Sequence, residues 1–136
     1  RMSLESLKHA GVNTEYIRTV KGVSTGTALI AVNAEGDNSI IVIPGANELV
    51  DRAYVDSVKH VIEASDIVIL QLEIPFETVF YVAEMAKKAD VKKMWLTHYS
   101  PSLVRPEVYL EEVRKIFART SAGKDGKSTT LLFEEE

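Results

Sequence analysis

The stretch Asp66-Ile67-Val68-Ile69-Leu70-Gln71-Leu72-Glu73-Ile74-Pro75 decides the fold of this chain. Residues Ile67 to Leu72 are apolar except for Gln71, without the apolar–polar alternation that marks a strand with one solvated face. Such a run is typical of a central strand in a parallel sheet whose two faces are covered by helices. Pro75 suits the first turn of a following helix. Glu73 is therefore predicted at the carboxyl end of the strand, where open α/β sheets bind their ligands.

The composition is that of one soluble globular domain. The chain has 136 residues, of which 46% are hydrophobic and 26% are charged, so it can bury a core and is not disordered. A net charge of −4 argues against nucleic-acid binding, because such domains are usually basic. There is no cysteine, which excludes disulfides and thiolate sites. Apolar runs such as 40–43 are too short to span a membrane, and no signal-peptide pattern is present, so we expect a cytoplasmic protein.

Five further elements are predicted before the central stretch. They are a helix at 4–10, strands at 16–20, 25–32 and 39–43, and a helix at 51–64 that Asp51 caps. The last two strands flank a turn at 33–38, and this arrangement predicts a β-hairpin.

The remainder of the chain continues the α/β pattern. The predicted elements are a helix at 75–89, a strand at 93–98, a helix at 106–119 and a closing hairpin between 120 and 133. A strand, a helix and a strand in succession predict a right-handed parallel crossover. We therefore predict a single three-layer α/β/α domain over residues 1–136, whose mixed sheet has a parallel centre and two β-hairpins. The order of the strands stays open.

Four short motifs lie in order between about residues 11 and 80. They are Ser24-Thr25-Gly26-Thr27-Ala28, Gly36-Asp37-Asn38-Ser39-Ile40, Pro44-Gly45-Ala46-Asn47 and Gln71-Leu72-Glu73-Ile74-Pro75-Phe76-Glu77. Through them this part resembles the middle of ribokinase-type (PfkB) sugar kinases. The resemblance implies that Glu73 contacts a sugar. It also makes Asn47 a candidate substrate-binding residue, and both residues are interpreted as vestigial. That family's early glycine-rich segment and its Gly-Ala-Gly-Asp segment, which carries the catalytic base, do not occur in these residues.

A different resemblance covers about residues 82–133. The stretch Ala86-Lys87-Lys88-Ala89-Asp90-Val91-Lys92-Lys93-Met94-Trp95-Leu96-Thr97-His98-Tyr99-Ser100-Pro101 is similar to the C-terminal part of ribonuclease Z, a protein of the metallo-β-lactamase fold. The resemblance implies that His98 matches a zinc ligand. The family's His-x-His-x-Asp-His cluster is absent, and the only other histidines of the chain are His9 and His60.

The two resemblances meet inside the helix predicted at 75–89. A helix is a natural junction, because both sides supply the same period and the same inward face. We interpret the chain as an engineered chimera of a ribokinase-like half, about residues 1–81, and a ribonuclease Z-like half, about residues 82–133. Natural recombination is the alternative.

Each candidate site residue has a functional and a structural interpretation. Glu73 is either an acceptor for sugar hydroxyls or a carboxylate stabilised by the N-terminus of the following helix. A catalytic zinc requires about three protein ligands, so His98 is orphaned and no metal site is predicted. The segment Gly45-Ala46-Asn47 is interpreted as a turn and not as a phosphate loop, since no Walker-type Gly-Lys follows it.

One arrangement of these residues is testable in a structure. If the strands ending at Leu72 and His98 are parallel neighbours, Glu73 and His98 lie at the same sheet edge. The helices that begin at Pro75 and Pro106 then point their N-termini towards it. Such an edge attracts anions, so a weak phosphate or sulfate site is a hypothesis.

The sequence alone favours a folded domain without native catalytic function, that is, not an enzyme. The alternative is a weak sugar- or anion-binding module, and the third hypothesis is a fragment of a sugar kinase or of a zinc-dependent nuclease. No catalytic residue and no cofactor is predicted. We expect no evolved partner, neither nucleic acid nor membrane, although exposed edge strands leave a homodimer open.

Overall fold

A computed structural model gives the structure of this chain. It describes residues 2–98, 106–123, 126 and 128. The chain divides into two compact units, Arg1–Ala46 and Asn47–Glu136, so the single domain stays a prediction. Among the described residues, no helix has the length and apolar character needed to cross a membrane.

The first unit contains a helix and a hairpin. Helix α1 covers Met2–His9, strand β1 covers Thr27–Val32 and strand β2 covers Asn38–Ile43. The two strands pair antiparallel over their full length, which confirms the first predicted hairpin. In the turn between them, Oδ1 of Asn33 accepts a hydrogen bond of 2.8 Å from the backbone N–H of Asp37.

The strand predicted at 16–20 is wrong. The structure has turns and loop there, and the backbone N–H of Ile17 donates to the carbonyl of Thr14 over 3.2 Å. A run of β-forming residues becomes a strand only where a neighbouring strand completes its ladder, because β-propensity is largely a matter of packing and pairing. Neither sheet of the described chain includes this segment.

The hairpin of β1 and β2 is apolar and exposed on both faces. Leu29 and Val32 are each 64% exposed, and Ile41 is 60% exposed. An isolated two-stranded ribbon is marginally stable at best in water. The hydrogen bonds of the turn at Asn33 and of the antiparallel ladder therefore contribute much of the stability of this hairpin.

The second unit is a parallel sheet with helical connections. Its elements are helices α2 (Arg52–Ser57), α3 (Lys59–Glu63), α4 (Phe76–Lys88) and α5 (Pro106–Ile116), and strands β3 (Ile67–Gln71), β4 (Lys93–Thr97) and β5 (Thr120–Ala122). Strand β4 pairs in parallel with β3 on one side and with β5 on the other. The helix α4 links β3 to β4, and α5 links β4 to β5. The α/β class with a parallel centre is confirmed.

The hairpin and the parallel strands form two sheets in the described chain, of two and three strands, in place of the one mixed sheet that we predicted. The physical reason is that a hairpin completes its ladder through its own turn, whereas parallel strands need crossover helices. Strand β5, expected to open the closing hairpin, pairs in parallel with β4, and the hairpin itself stays a prediction. The second strand expected there, 128–133, lies outside the described residues apart from 128.

The core of the second unit lies on one face of its sheet. Val68, Met94 and Leu96 point into it, and the latter two are 0% exposed. The helices contribute eight more buried apolar side chains, Val55, Val79, Val82, Ala83, Met85, Ala86, Leu110 and Val113, and the segments between elements add Leu72, Val91 and Phe117. On the opposite face of β3, Ile69 is 63% exposed. The three-layer arrangement stays a prediction.

The helix predicted at 51–64 is two helices, α2 and α3, that meet at Val58. Asp51 caps α2 as predicted, because its Oδ1 accepts from the backbone N–H of Tyr54 over 2.8 Å. Near the other end, the hydroxyl of Ser57 donates to the carbonyl of Tyr54 over 2.6 Å. Such side-chain bonds compete with the helical ladder and favour a break, and Val58 has the non-helical angles φ −113° and ψ 13°.

Candidate functional site

A carboxylate and an imidazole meet at the carboxyl edge of the parallel sheet. In the ladder Gln71 pairs with Thr97, and the backbone N–H of Leu72 donates to the carbonyl of Thr97 over 3.1 Å. Glu73 and His98 therefore leave neighbouring strands at the same level. Nε2 of His98 lies 3.0 Å from Oε1 of Glu73, which confirms that both residues share this edge.

A second side chain holds the other oxygen of the same carboxylate. Nε2 of Gln71 donates to Oε2 of Glu73 over 3.0 Å. Gln71 is the one polar residue inside the apolar run of β3, and that interruption was the only sequence signal for its role. Each carboxylate oxygen of Glu73 thus has its own nitrogen partner.

The pair lies at the surface and is accessible. The side chain of Glu73 is 34% exposed and that of His98 is 59% exposed. A charged carboxylate keeps about four acceptor positions, two on each oxygen. Two of them are used by Gln71 and His98, and the remaining ones can accept hydrogen bonds from a ligand.

His98 holds its place with an unusual backbone. Its φ of 57° is in the left-handed region, which among the described non-glycine residues is shared by Asp90. For an L-residue this region costs about 1–2 kcal/mol. Strained backbone of this kind is concentrated at functional sites, where the surrounding structure enforces it. With this backbone, the imidazole of His98 reaches the carboxylate of Glu73.

The N-terminus of α4 begins two residues after Glu73. Pro75 is its N-cap, and the carbonyl of Pro75 accepts from the N–H of Thr78 over 2.9 Å. A carboxylate near the first turn of a helix is stabilised by about 0.3–1 kcal/mol at an exposed position. The structural interpretation of Glu73 and its role as an acceptor are therefore compatible.

Asn47 lies in the segment that precedes α2 and is fastened to the start of α4. It belongs to a 3-10 helix, Gly45–Leu49, and its carbonyl accepts from the N–H of Val50 over 3.2 Å. The carbonyl of Val50 in turn accepts from the hydroxyl of Thr78 over 2.7 Å. Among the described residues, no hydrogen bond joins the side chain of Asn47 to Glu73. The structure thus brings Glu73 and His98 into direct contact.

The turn at Gly45 packs backbone against backbone. Gly45 has a φ of 56°, and a Cβ built on it would lie 2.4 Å from the carbonyl oxygen of Ser24. The N–H of Ala46 donates to that oxygen over 2.8 Å. Two of the motifs noted in the sequence, at 24–28 and 44–47, thus touch. Because the Ala46 N–H is already bonded, this geometry agrees with a turn and not with a phosphate cradle.

The part of the chain that the structure describes contains no cluster of metal ligands. No group of three or more histidine and acidic side chains is close enough there to hold an ion. The neighbour of His98 is one carboxylate, that of Glu73. The expectation that His98 is an orphaned zinc ligand stays a prediction.

Comparison with known proteins finds both resemblances again. The chain is 57% identical over 58 residues to ribonuclease Z of Lachnoclostridium phytofermentans, covering 43% of this chain and 19% of that protein. It is 43% identical over 88 residues to ribokinase of Bacillus subtilis, covering 65% of this chain and 30% of that protein. The chain therefore spans less than a third of the curated relatives that it matches.

A solved structure gives the same relationship in three dimensions. Ribokinase of Arabidopsis thaliana, solved in complex with ribose and ATP, superposes with a TM-score of 0.57 and 35% sequence identity. The match covers 64% of this chain and 28% of that one. The α/β fold and a part of the sequence are thus shared with a ribokinase.

The prediction that this chain is not an enzyme is contradicted by its family. Two motif segments of the kinase family do not occur in these 136 residues, but their absence does not remove the family relationship of the segments that are present. The model of the pfkB family of carbohydrate kinases matches residues 1–118, which extends beyond the junction inferred at 75–89. The strand–helix–strand pattern continues through α4, so the match is not interrupted there. The chain belongs to the pfkB family of carbohydrate kinases.

Proposed function

We propose that this chain is the sugar-recognition part of a ribokinase-type kinase, and that Glu73 accepts hydrogen bonds from sugar hydroxyl groups. The observation that carries the proposal is the position of the Glu73 carboxylate. It lies at the carboxyl end of a parallel strand, partly exposed, with one partner on each oxygen. The carboxyl ends of parallel strands are where such sheets bind ligands.

The chemistry of the carboxylate suits a neutral polyol. A sugar offers hydroxyl donors, and hydrogen bonds to a charged acceptor contribute about 1.5–3 kcal/mol each. The kinase relatives and the ribose complex of the Arabidopsis ribokinase support a pentose as the ligand. Asn47 belongs to the same motif set and is proposed as a second polar contact to the sugar.

The proposed reaction of the complete kinase is transfer of a phosphoryl group from ATP to the bound sugar. That step depends mainly on positioning the two substrates and neutralising charge. Glu73 contributes to the first of these by orienting the acceptor sugar. It is a binding residue and not the catalytic base.

Titration of the ¹⁵N-labelled chain with ribose tests the binding. We expect amide shifts at residues 73–77 and a measurable Kd in wild type. Glu73→Gln removes the negative charge and keeps the shape, so it weakens binding by about tenfold or more. Glu77→Gln is the matched control, because it makes the same Glu-to-Gln change at an exposed position in the first turn of α4.

Two results would contradict the proposal. One is the absence of ribose-dependent amide shifts in wild type at ribose concentrations well above those that saturate sugar kinases. The other is equal binding by wild type and Glu73→Gln. For the reaction itself, residues 11–80 can replace the aligned segment of the Bacillus subtilis ribokinase, and ribose-dependent ADP release is then measured with and without Glu73→Gln.

We further propose that the two resemblances reflect a fusion inside α4. The support is the higher identity to ribonuclease Z, 57% over 58 residues, beside 43% identity to the Bacillus subtilis ribokinase over 88 residues. An experimental structure tests this: residues from β4 to β5 should superpose on the C-terminal part of ribonuclease Z more closely than on ribokinase. A closer fit to ribokinase throughout would favour divergence within one family.

A further inference from the structure

We propose that His98 is a positioning residue for the Glu73 carboxylate, which it holds in place together with Gln71 so that its free acceptor positions face the sugar. The inference rests on the proposed sugar site. It gives His98 a role unlike that of a zinc ligand, which the ribonuclease Z resemblance alone would suggest.

Two nitrogen atoms hold the Glu73 carboxylate, one on each oxygen. His98 contacts Oε1 and Gln71 contacts Oε2, each over 3.0 Å. A glutamate has three rotatable side-chain torsions, and an exposed one samples several staggered conformations. Partners on both oxygens restrict the torsions and the plane of the carboxylate at once. Each oxygen keeps an acceptor position that a sugar hydroxyl can use.

The two partners come from different strands, and this makes the arrangement rigid. Gln71 is the last residue of β3, and His98 follows the last residue of β4. The parallel register pairs Gln71 with Thr97, so the strand ends cannot slip without breaking the ladder. The position of the Glu73 carboxylate is thereby fixed by residues at the ends of two strands, and not by its own backbone alone.

The backbone of His98 supplies the independent observation. Its φ of 57° would be relieved by glycine, yet an imidazole stands there and its Nε2 reaches Glu73. Asp90 has the same φ of 57° and lies in a turn after α4, where its side chain pairs with Arg119. Asp90 thus offers a control position with the same backbone cost and no contact to the site.

Loss of this positioning should lower the affinity for ribose by a modest factor. Ordering one flexible side chain on binding lowers affinity by about two- to tenfold. We therefore expect His98→Gly to weaken ribose binding by about two- to tenfold. His98→Gln keeps an amide donor on a side chain of useful length, so it should retain affinity within about twofold of wild type.

The test uses the full chain and two readouts. In the absence of sugar, the ¹³C shift of the Glu73 carboxylate is measured at one fixed pH in wild type, His98→Gly, His98→Gln and Asp90→Gly. We expect the shift to change in His98→Gly and to stay close to wild type in the other two variants. Thermal unfolding checks that each variant is folded, and glycine at a positive φ adds no strain.

The ribose titration of the same four proteins completes the test. Weaker binding in His98→Gly, with recovery in His98→Gln and no change in Asp90→Gly, supports the inference. An unchanged Glu73 carboxylate shift in His98→Gly would overturn it, as would equal ribose affinity of His98→Gly and wild type. If wild type does not bind ribose, the proposed function fails, and the sugar-free shift still decides whether His98 positions Glu73.

Discussion

The phenolic oxygen of Tyr81 lies 2.5 Å from Oδ1 of Asp56 and ties α4 to α2. The hydrogen bond that Tyr81 donates to Asp56 raises the pKa of Tyr81 above its usual 10.0, with desolvation and the negative charge of Asp56 acting in the same direction. The guanidinium of Arg52, 4.8 Å from the centre of the ring, opposes the shift. The neutral phenol is the form that the folded state favours.

This pair predicts a loss of stability at alkaline pH. A group whose pKa is raised in the folded state contributes its full stabilisation below the unfolded pKa, here near 10.0. That contribution is lost as the pH rises from about 10 through the raised value. We expect the unfolding midpoint of wild type to fall more steeply than that of Tyr81→Phe above pH 10, and to show no such difference at pH 8.

Thermal unfolding of both proteins between pH 8 and pH 11 is the measurement. Absorbance at 295 nm follows the ionisation of the tyrosines in parallel. Parallel curves for the two proteins over this range would mean that the contact with Asp56 does not favour the protonated phenol.

The second prediction compares two isomeric side chains on neighbouring strands. Leu96 is 0% exposed in the core of the second unit, whereas Ile69 is 63% exposed. Leu96→Ala should lower the free energy of unfolding by about 2–5 kcal/mol, because it removes buried contacts and leaves a cavity. Ile69→Ala removes the same number of atoms from the surface and should cost about 0.5 kcal/mol or less.

Denaturant unfolding followed by tryptophan fluorescence separates these values. Trp95 is the single tryptophan and adjoins Leu96, so it reports on the second unit. A similar cost for both substitutions would show that Ile69 is covered in solution, for example by another segment or a second copy.

The third prediction concerns the two turn glycines of the first unit. Gly45 has a φ of 56° and a Cβ there would lie 2.4 Å from Ser24 O. Gly11 has a φ of 78° and open space around it. Both alanine variants carry a backbone cost of about 1–2 kcal/mol. Gly45→Ala adds a clash with backbone atoms, so it should be the more destabilising of the two.

Amide hydrogen exchange locates that effect. In Gly45→Ala the N–H of Ala46 should exchange faster, because its bond of 2.8 Å to the Ser24 carbonyl is disturbed. In Gly11→Ala the same N–H should keep its wild-type rate. Unchanged exchange at Ala46 in Gly45→Ala would argue against close packing of these two motifs.

The fourth prediction concerns Thr78, whose hydroxyl donates to the carbonyl of Val50 over 2.7 Å. Thr78 is 0% exposed. Thr78→Val keeps the shape and leaves that carbonyl without its donor, at a cost of about 1–3 kcal/mol. Thr78→Ser keeps the donor and loses one methyl group, about 1 kcal/mol. Equal stability of Thr78→Val and wild type in denaturant unfolding would exclude this bond as a stabilising contact.

Local features of the sequence were sufficient for several elements. The unbroken apolar run predicted β3, the helical spacing after Pro75 predicted α4, and the polar turn at 33–38 predicted the hairpin. Asp51 was found as a cap for the same reason, since a cap bonds a residue only three positions away. These signals depend on neighbours along the chain, and the sequence displays them directly.

Other features depended on contacts between distant residues. The segment 16–20 has the residues of a strand but belongs to neither sheet of the described chain, and residues 120–122 pair in parallel with β4. The sequence alone placed Glu73 and His98 at strand ends. Only the tertiary structure set them 3.0 Å apart across 25 residues of chain, with Gln71 on the other oxygen, because the parallel register that pairs Gln71 with Thr97 brings the two strand ends to the same level.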